Sequence, residues 1–344
     1  MLMKLCKQNK SKILLLVISF FAVTALSLTQ GQVDIPLAGT AAVVAYQLYI
    51  PGISAADFTF EQQALLWYIR MPRTLAGLLV GAALAAAGAA LQGIFSNPLA
   101  DPSLLGVTSG AATGAVIAIA AGIGFTQLVS LPLFAFTGAA AAVSLTVLLS
   151  VRQGKIPVMP LLLAGMAVSI LAGALTAGIL TGLNEQKLQQ YLFWMVGSLD
   201  FRRWEHVTLA AGPIIAGLTG LLLLSRQLNV LALGETEARA VGMAVVPFRL
   251  LILLLASLIT AAAVCVSGSI SFVGLIIPHI ARLLVGPDYR ILLPFSALAG
   301  ATFLVLCDTL GRLLICPHEI RTGIMTALMG VPYFLYLLRT ISRQ

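Results

Sequence analysis

The chain has 344 residues, of which 60% are hydrophobic and only 9% are charged. Because soluble domains carry about 25% charged residues, this composition excludes an ordinary soluble fold. The net charge of +8 comes from 20 basic residues and 12 acidic ones, and the basic residues are scattered over short loops. That distribution excludes a nucleic-acid-binding face and is typical of the inner loops of a membrane protein.

Apolar runs without charge predict an all-α integral membrane protein with about ten transmembrane helices. The predicted spans are 13–29, 74–96, 103–125, 128–151, 156–183, 207–225, 250–266, 272–285, 291–311 and 322–338. The first span follows four lysines and could pass for a secretion signal, but no small-residue cleavage pattern precedes Gln30, so we predict a retained helix. No long polar segment could fold separately, so residues 1–344 are predicted to form one domain.

The boundary between the seventh and eighth spans is the least defined. One uncharged run extends from Arg249 to His279, and we divide it at the turn-like segment Ser267–Ser271. The eighth span is then short, and we expect it to be bent or shielded by protein. An apolar segment between residues 184 and 206 fits a half-helix at the outer face.

The loop charges predict the orientation of the chain. An even number of crossings places both termini on the same side of the membrane. If that side is the inside, 13 of the 20 basic residues lie in inner loops. The excess of inner Lys and Arg supports cytoplasmic termini.

Small residues recur at every fourth position of the second predicted span. They are Gly77, Gly81, Ala85, Ala89 and Gly93. This spacing places them on one side of a helix, where a second helix can approach closely in lipid. The segment therefore predicts tight helix packing in a body of several helices.

Arg70 and Arg73 stand at the entrance of that span, on its predicted outer side. Pro72 fits the first turn of a helix, or else it kinks a longer one. At a helix start the two arginines would face the positive end of the helix dipole, which is unfavourable. Two interpretations stay open: anchors that reach the lipid headgroups, or a positive patch that docks an acidic partner.

The sequence contains none of the motifs GxxxxGK[ST], HExxH and GxSxG. Its histidines are far apart in sequence: His206, His279 and His318. Its cysteines form no metal-binding pattern: Cys6, Cys265, Cys307 and Cys316. Spacing alone leaves a disulfide between Cys307 and Cys316 open. Asp308 lies four residues before Arg312, so we predict a local ion pair within one span.

The largest inner loop, residues 228–247, concentrates charge in a chain that has little. Gly234 and Gly242 bracket a helix-sized piece with Ala238 and Val241 on its apolar side. We predict a short amphipathic helix parallel to the membrane. It either covers the inner surface or inserts into a groove on a cytoplasmic partner.

Five segments together resemble the permease subunits of ATP-binding-cassette (ABC) importers for iron chelates, haem and cobalamin, the FecCD family. The segments are RMPRTLAGLLVGAAL, GAALQGIFSNPLADPSLLGVTSGA, NVLALGETEARAVGM, FVGLIIPHIARLLVG and TGIMTALMGVPYFLYLL. They occur in the family's order from about residue 60 to 340.

The resemblance implies a type II ABC importer permease fold in the bacterial cytoplasmic membrane, with lipid around it. It implies a second permease subunit, either identical or a paralogue, two cytoplasmic ATPase subunits that use ATP and Mg, and an extracytoplasmic binding protein. No cofactor would be bound by this chain itself.

The resemblance also assigns roles to residues. Docking of the binding protein would fall to Arg70, Arg73 and Arg312. Coupling to the ATPases would fall to Leu231, Gly234, Glu235, Ala238, Arg239 and Gly242. The fifth helix lines the path in relatives, and here it carries Gly165, Ser169, Gly173 and Ala177, for which helix packing remains the plain alternative.

The chain departs from the family pattern near residue 320. Relatives place a proline after the last acidic residue, whereas this chain has Glu319 followed by Ile320 and a positive charge at Arg321. We expect a changed local backbone there. His318 is interpreted as a plain polar loop residue, with metal or haem binding as the alternative.

We therefore expect the membrane subunit of an ATP-driven importer that works by alternating access between two states. An iron chelate, carried as a siderophore or as haem, is the expected cargo, and cobalamin is the alternative. Two rival functions are a membrane-embedded enzyme that uses Asp308 or His279 and a receptor that transports nothing.

Overall fold

The helices of the computed structural model follow the apolar runs of the sequence. The model describes residues 2–31, 33–50, 58–123, 129–151, 155–315 and 318–341. Its helices are α1 Leu2–Thr29, α2 Leu37–Gln47, α3 Phe60–Ala64, α4 Met71–Ile94, α5 Val107–Ala120, α6 Ser130–Ser150, α7 Val158–Thr181, α8 Glu185–Val196, α9 Trp204–Leu223, α10 Ser225–Leu231, α11 Glu235–Ala240, α12 Val245–Ser267, α13 Val273–Val285, α14 Tyr289–Leu313 and α15 Thr322–Ile341.

Each of the ten predicted spans overlaps a helix, which confirms the all-α membrane fold. The division near residue 270 is also confirmed, because α12 ends at Ser267 and α13 begins at Val273. α13 has 13 residues, or about 20 Å at 1.5 Å per residue, against a hydrocarbon core of about 30 Å. As expected for a helix too short to cross alone, it is largely shielded by α4 and α14. The half-helix expected between residues 184 and 206 is α8.

Of the two arrangements left open for Pro72, the structure has the longer helix and not a helix start at Arg70 and Arg73. The helical path begins at Phe60, runs through a π-helical turn over Leu65–Arg70, and continues into α4. Pro72 therefore lies inside a longer helix. Proline has no N–H to donate to the helix, and the π-helical turn ends two residues before it. The dipole penalty expected for the two arginines does not apply, since the helix starts ten residues earlier.

Helix α2 was not predicted from the sequence. Its Val43 is buried and packs with Ile35 and Leu66, which fixes α2 against the π-helical turn.

Close backbone contact between α4 and its neighbours confirms the role predicted for the small residues. A Cβ built on Gly81 would overlap the carbonyl oxygen of Gly300 in α14. Gly88 lies outside the predicted repeat, and a Cβ on it would overlap the carbonyl oxygen of Gly274 in α13. Near the end of α4, a Cβ on Gly93 would lie 2.6 Å from the Tyr289 hydroxyl. α4 is thus the most enclosed helix, packed by α14, α12, α13 and α9.

The long core helices define two ends of the bundle. α12 has 23 residues and so measures about 35 Å. At one end, which we call the Arg73 end, the start of α4 meets the end of α14, and Ser198 N–H donates to the carbonyl of Ser267 at 2.8 Å. At the other, the Arg249 end, the end of α4 meets the start of α14, and the short helices α10 and α11 lie there beside the start of α12.

Candidate functional site

The Arg73 end contains a buried ionic cluster. We call Arg73, Arg312, Asp200, Asp308 and Glu319 the Arg73 cluster. Arg73 donates from Nε and Nη2 to the two carboxylate oxygens of Asp308, both at 2.9 Å, and from Nη1 to Glu319 at 2.8 Å. Its Nη2 also lies 2.7 Å from Asp200 Oδ1. One guanidinium is thus surrounded by three carboxylates.

Asp308 is the centre of this cluster. It accepts a further hydrogen bond from Thr322 Oγ1 at 2.8 Å, and its Oδ2 lies 3.4 Å from Arg312 Nε. The predicted pair of Asp308 with Arg312 is therefore confirmed, although Arg73 forms the shorter contacts. Arg312 also donates to the carbonyl and the hydroxyl of Ser27, at 3.1 and 3.0 Å. The cluster joins α1, α4, α14 and α15.

Arg70 binds the end of α1. It donates from Nη1 to the carbonyls of Leu28 and Thr29, both at 2.8 Å, and from Nη2 to the carbonyl of Val33. The carbonyls of Leu28 and Thr29 have no helical partner at the C-terminus of α1, where a cation is favourable. Arg70 therefore secures the connection that leaves α1.

All three arginines that were predicted to dock a partner are buried. Arg70 is 4% exposed, Arg73 is 8% exposed and Arg312 is 6% exposed. Each is bound by groups of this same chain, so they lie beneath the surface of the Arg73 end rather than on it. Their role in docking stays a prediction.

A cavity of about 550 Å³ opens beside the cluster. Its wall includes Tyr68, Arg73, Phe201, Arg202 and Arg203. Phe201 is 90% exposed and adopts φ +57°, a left-handed conformation that bulky residues rarely adopt. Burial lowers the pKa of Arg202 to about 10, although the carboxylate of Asp200 raises it in part.

Arg203 lines this cavity and is exposed. Sequence reasoning did not single out Arg203 or Phe201. The available signal was the segment FRRW, residues 201–204, in which two arginines stand between aromatic residues in a charge-poor chain.

The segment near residue 320, where the sequence departs from the family pattern, contacts α8. Arg321 donates to the carbonyl of Phe193 at 3.2 Å, and its guanidinium carbon lies 4.2 Å from the centre of that ring. His318 is exposed. Cys307 is a buried free thiol, whereas Cys316, its suggested disulfide partner, lies outside the described residues.

At the Arg249 end, α11 is a short, exposed helix that buried side chains hold against the bundle. Gly234 and Gly242 flank it with φ of +119° and +80°, values that favour glycine. Leu231 and Ala238 are buried at 3% and 0% exposure and hold the segment to the bundle. Val241 was expected on the same side as Ala238. That expectation is wrong, because the helix ends at Ala240 and Val241 is 70% exposed.

Glu235 is the first residue of α11 and holds two arginines. Its Oε1 accepts from Arg239 Nη2 at 2.7 Å, and its Oε2 accepts from Arg249 Nη1 at 2.9 Å. Partial burial opposes ionisation, but these hydrogen bonds outweigh it and hold the pKa of Glu235 below its ordinary value. Arg249 was not singled out in the sequence, where it reads as one more basic residue of an inner loop.

The predicted path residues of α7 divide into two pairs. Gly165 is buried where a Cβ would overlap the carbonyl oxygen of Leu104, and Ser169 is half-buried. Gly173 and Ala177 are exposed, and nothing lies within 4 Å of a Cβ built on Gly173. Packing accounts for the first pair, and lining a path stays a prediction for the second.

Catalysis by Asp308 is disfavoured by its surroundings. The carboxylate is 2% exposed and already contacts Arg73, Arg312 and Thr322, so a substrate has no access to it. Within the described ranges, no group of three or more His, Cys, Asp or Glu side chains could hold a metal ion.

A model of the FecCD transport family matches residues 15–340. The cobalamin import permease BtuC of Halobacterium salinarum is 44% identical over 277 residues, which cover 80% of this chain and 74% of that protein. The hemin transport permease HmuU of Yersinia pestis is 42% identical over 281 residues, or 79% of this chain and 84% of that protein.

The fold also matches a solved structure, described as an inward-facing conformation of a metal-chelate type ABC transporter. It has a TM-score of 0.83 and is 36% identical, and the match covers 96% of this chain and 99% of the other.

Proposed function

Because the chain belongs to the FecCD transport family, we propose that it is the membrane-spanning subunit of an ATP-driven importer that moves an iron chelate into a bacterial cell. It is a multi-pass ABC permease. The proposal that transport is driven by ATP rests on α11 at the Arg249 end. This short helix has a glycine at each end, and apolar residues next to it are exposed. Leu233 and Val241, at 69% and 70% exposure, offer apolar contact to a cytoplasmic ATPase subunit.

We propose that the Arg249 end faces the cytoplasm. α1 ends at Thr29 beside Arg70, and α15 begins at Thr322 beside Asp308, so both of these helix ends lie at the Arg73 end. The opposite ends of the two helices, which are nearest the chain termini, therefore point toward the Arg249 end. Exposed Arg226 and Arg239 lie there as well. This arrangement agrees with the positive-inside rule and with cytoplasmic termini.

An extracytoplasmic binding protein would then dock on the Arg73 end. The buried arginines are unavailable without breaking their internal bonds, whereas Arg203 and Phe201 are exposed beside the cavity. A cation next to an exposed aromatic ring suits an acidic partner surface. Docking favours one of the two states of the permease, and ATP-dependent closure of the partner subunits favours the other.

Replacing Arg203 with glutamate is expected to weaken docking of the binding protein roughly fivefold at low salt, on the scale of one exposed ion pair of up to about 1 kcal/mol. The loss should shrink as ionic strength rises. Surface-immobilised permease and titrated binding protein give the dissociation constant. Arg226→Glu, the same change at an exposed position of the Arg249 end, is the control, and equal weakening by both variants would contradict the assigned face.

Cobalamin is a second candidate cargo, favoured by the 44% identity to a cobalamin import permease. Both cargoes are large, and the exposed glycine and alanine of α7 supply no charged side chain that distinguishes them.

Reconstitution tests the function and the cargo together. Vesicles that contain this permease with its ATPase and binding protein should accumulate a labelled ferric chelate only when ATP is supplied. Labelled cobalamin in parallel vesicles decides between the two candidates. Uptake that needs no ATP, or nucleotide hydrolysis by the purified permease alone, would overturn the proposal.

A further inference from the structure

A single buried guanidinium connects three elements at the Arg249 end. Arg249 lies near the start of α12 and is 4% exposed. Its Nη1 donates to the carbonyl of Ile156 at 2.7 Å and to Glu235 Oε2 at 2.9 Å. We call Arg249, Glu235, Arg239 and the Ile156 carbonyl the Arg249 cluster.

The three connected elements have different places in the transporter. Glu235 opens α11, the exposed helix that we assign to the ATPase contact. Ile156 precedes the start of α7 at Val158, the helix with an exposed glycine and alanine side. α12 crosses the core to the Arg73 end, where the carbonyl of its last residue, Ser267, binds the segment after α8. Displacement of α11 would thus reach both a path helix and a core helix through Arg249.

Electrostatics makes this connection stiff. In the described part of the chain, Glu235 is the one acidic side chain within ion-pair distance of Arg249. A buried cation that loses its partner is strongly disfavoured, and hydrogen bonds between charged groups are short and strong. The exposed pair of Glu235 with Arg239, at 38% and 47% exposure, contributes far less. Glu235 therefore cannot move far unless Arg249 moves with it.

We propose that Arg249 is a positioning residue that transmits movement of α11 to α7 and α12. This inference rests on the proposed importer function. It assigns the mechanical link to a residue outside α11, with Glu235 as its partner and the Ile156 carbonyl as its second anchor.

The test is the ratio of transport to ATP hydrolysis in reconstituted full complexes. In Arg249→Gln the complex should still hydrolyse ATP while cargo moved per ATP falls about tenfold or more, the factor expected for one lost charge-assisted hydrogen bond. Glu235→Gln should lower the ratio less, because Arg249 keeps the Ile156 carbonyl. Arg249→Lys should restore part of it, since an ammonium can still bridge the two acceptors.

Arg290→Gln is the matched control. It makes the same chemical change as Arg249→Gln at an exposed arginine near the start of α14, outside both α11 and the Arg249 cluster, and it should leave the ratio unchanged. A merely structural role for Arg249 would lower transport and hydrolysis together, in proportion to assembled complex, with the ratio unaltered.

The outcomes separate this inference from the function on which it rests. If the wild-type complex imports nothing with ATP, the importer proposal fails. If the wild type imports and Arg249→Gln or Glu235→Gln keeps its ratio, only the link through Arg249 is overturned. Should Arg249→Gln fail to assemble, Glu235→Gln decides, because that variant removes the charge that joins α11 to α12 and leaves the buried arginine its carbonyl partner. Its other effect is on the exposed pair with Arg239.

Discussion

Replacing Asp308 with alanine is expected to lower the free energy of unfolding by about 3–5 kcal/mol, the cost of removing one partner from a buried ion pair. The change would leave Arg73 and Arg312, at 8% and 6% exposure, without their shared carboxylate, and Thr322 without its acceptor. Thermal unfolding of the purified protein in lipid nanodiscs measures the loss.

A graded set of variants identifies the cause. Asp308→Asn keeps the shape and one acceptor but removes the charge, so it should fall between the wild type and Asp308→Ala. Glu205→Ala removes an exposed carboxylate at the same end and should change stability by no more than about 0.5 kcal/mol. If Asp308→Ala were no less stable than Glu205→Ala, the Arg73 cluster would not hold the helices together.

This cluster changes how a charge reversal at Arg73 must be interpreted. Arg73→Glu would place a fourth carboxylate among Asp200, Asp308 and Glu319, and like charges in a buried site repel strongly. Loss of docking in that variant would follow from a disrupted Arg73 end even if Arg73 never touched a partner. Arg203 gives the clearer experiment because its side chain is exposed.

The helices could be predicted from the sequence because their signals are local. A membrane span needs an uninterrupted apolar run, and a close helix contact needs small residues at a fixed spacing. The close packing of Gly81 could therefore be predicted before its neighbour was known, and the structure added the facing residue, Gly300. Gly88 lies outside the predicted repeat, and its contact with Gly274 came from the structure alone.

Burial of the arginines could not be predicted in the same way. Arg70 and Arg73 read as exposed because they flank an apolar run, whereas their partners Thr29 and Asp308 lie 41 and 235 residues away in sequence. The importance of Arg249 likewise depends on Ile156, 93 residues away. Such pairings arise from the tertiary arrangement of the helices, which no local pattern encodes.

Replacing Gly88 with alanine is expected to separate α4 from α13. The new methyl would overlap the carbonyl oxygen and carbon of Gly274, which are backbone atoms that cannot rotate away. Overpacking of this kind costs about 1–3 kcal/mol or more, and it exceeds the gain of at most about 1 kcal/mol that alanine brings to a helix. In lipid no hydrophobic force between helices offsets the lost contact.

Two measurements test this expectation. One turn along the same face of α4, Gln92 Nε2 donates to the carbonyl of Leu275 in α13 at 3.0 Å, and Gly88→Ala should break this bond and expose the Leu275 region to hydrogen exchange. Gly212→Ala is the control, because a Cβ there meets nothing within 4 Å, and it should leave stability unchanged or slightly raised. A Gly88→Ala protein as stable as Gly212→Ala, with α13 still protected from exchange, would show that the two backbones do not meet as closely as this structure has them.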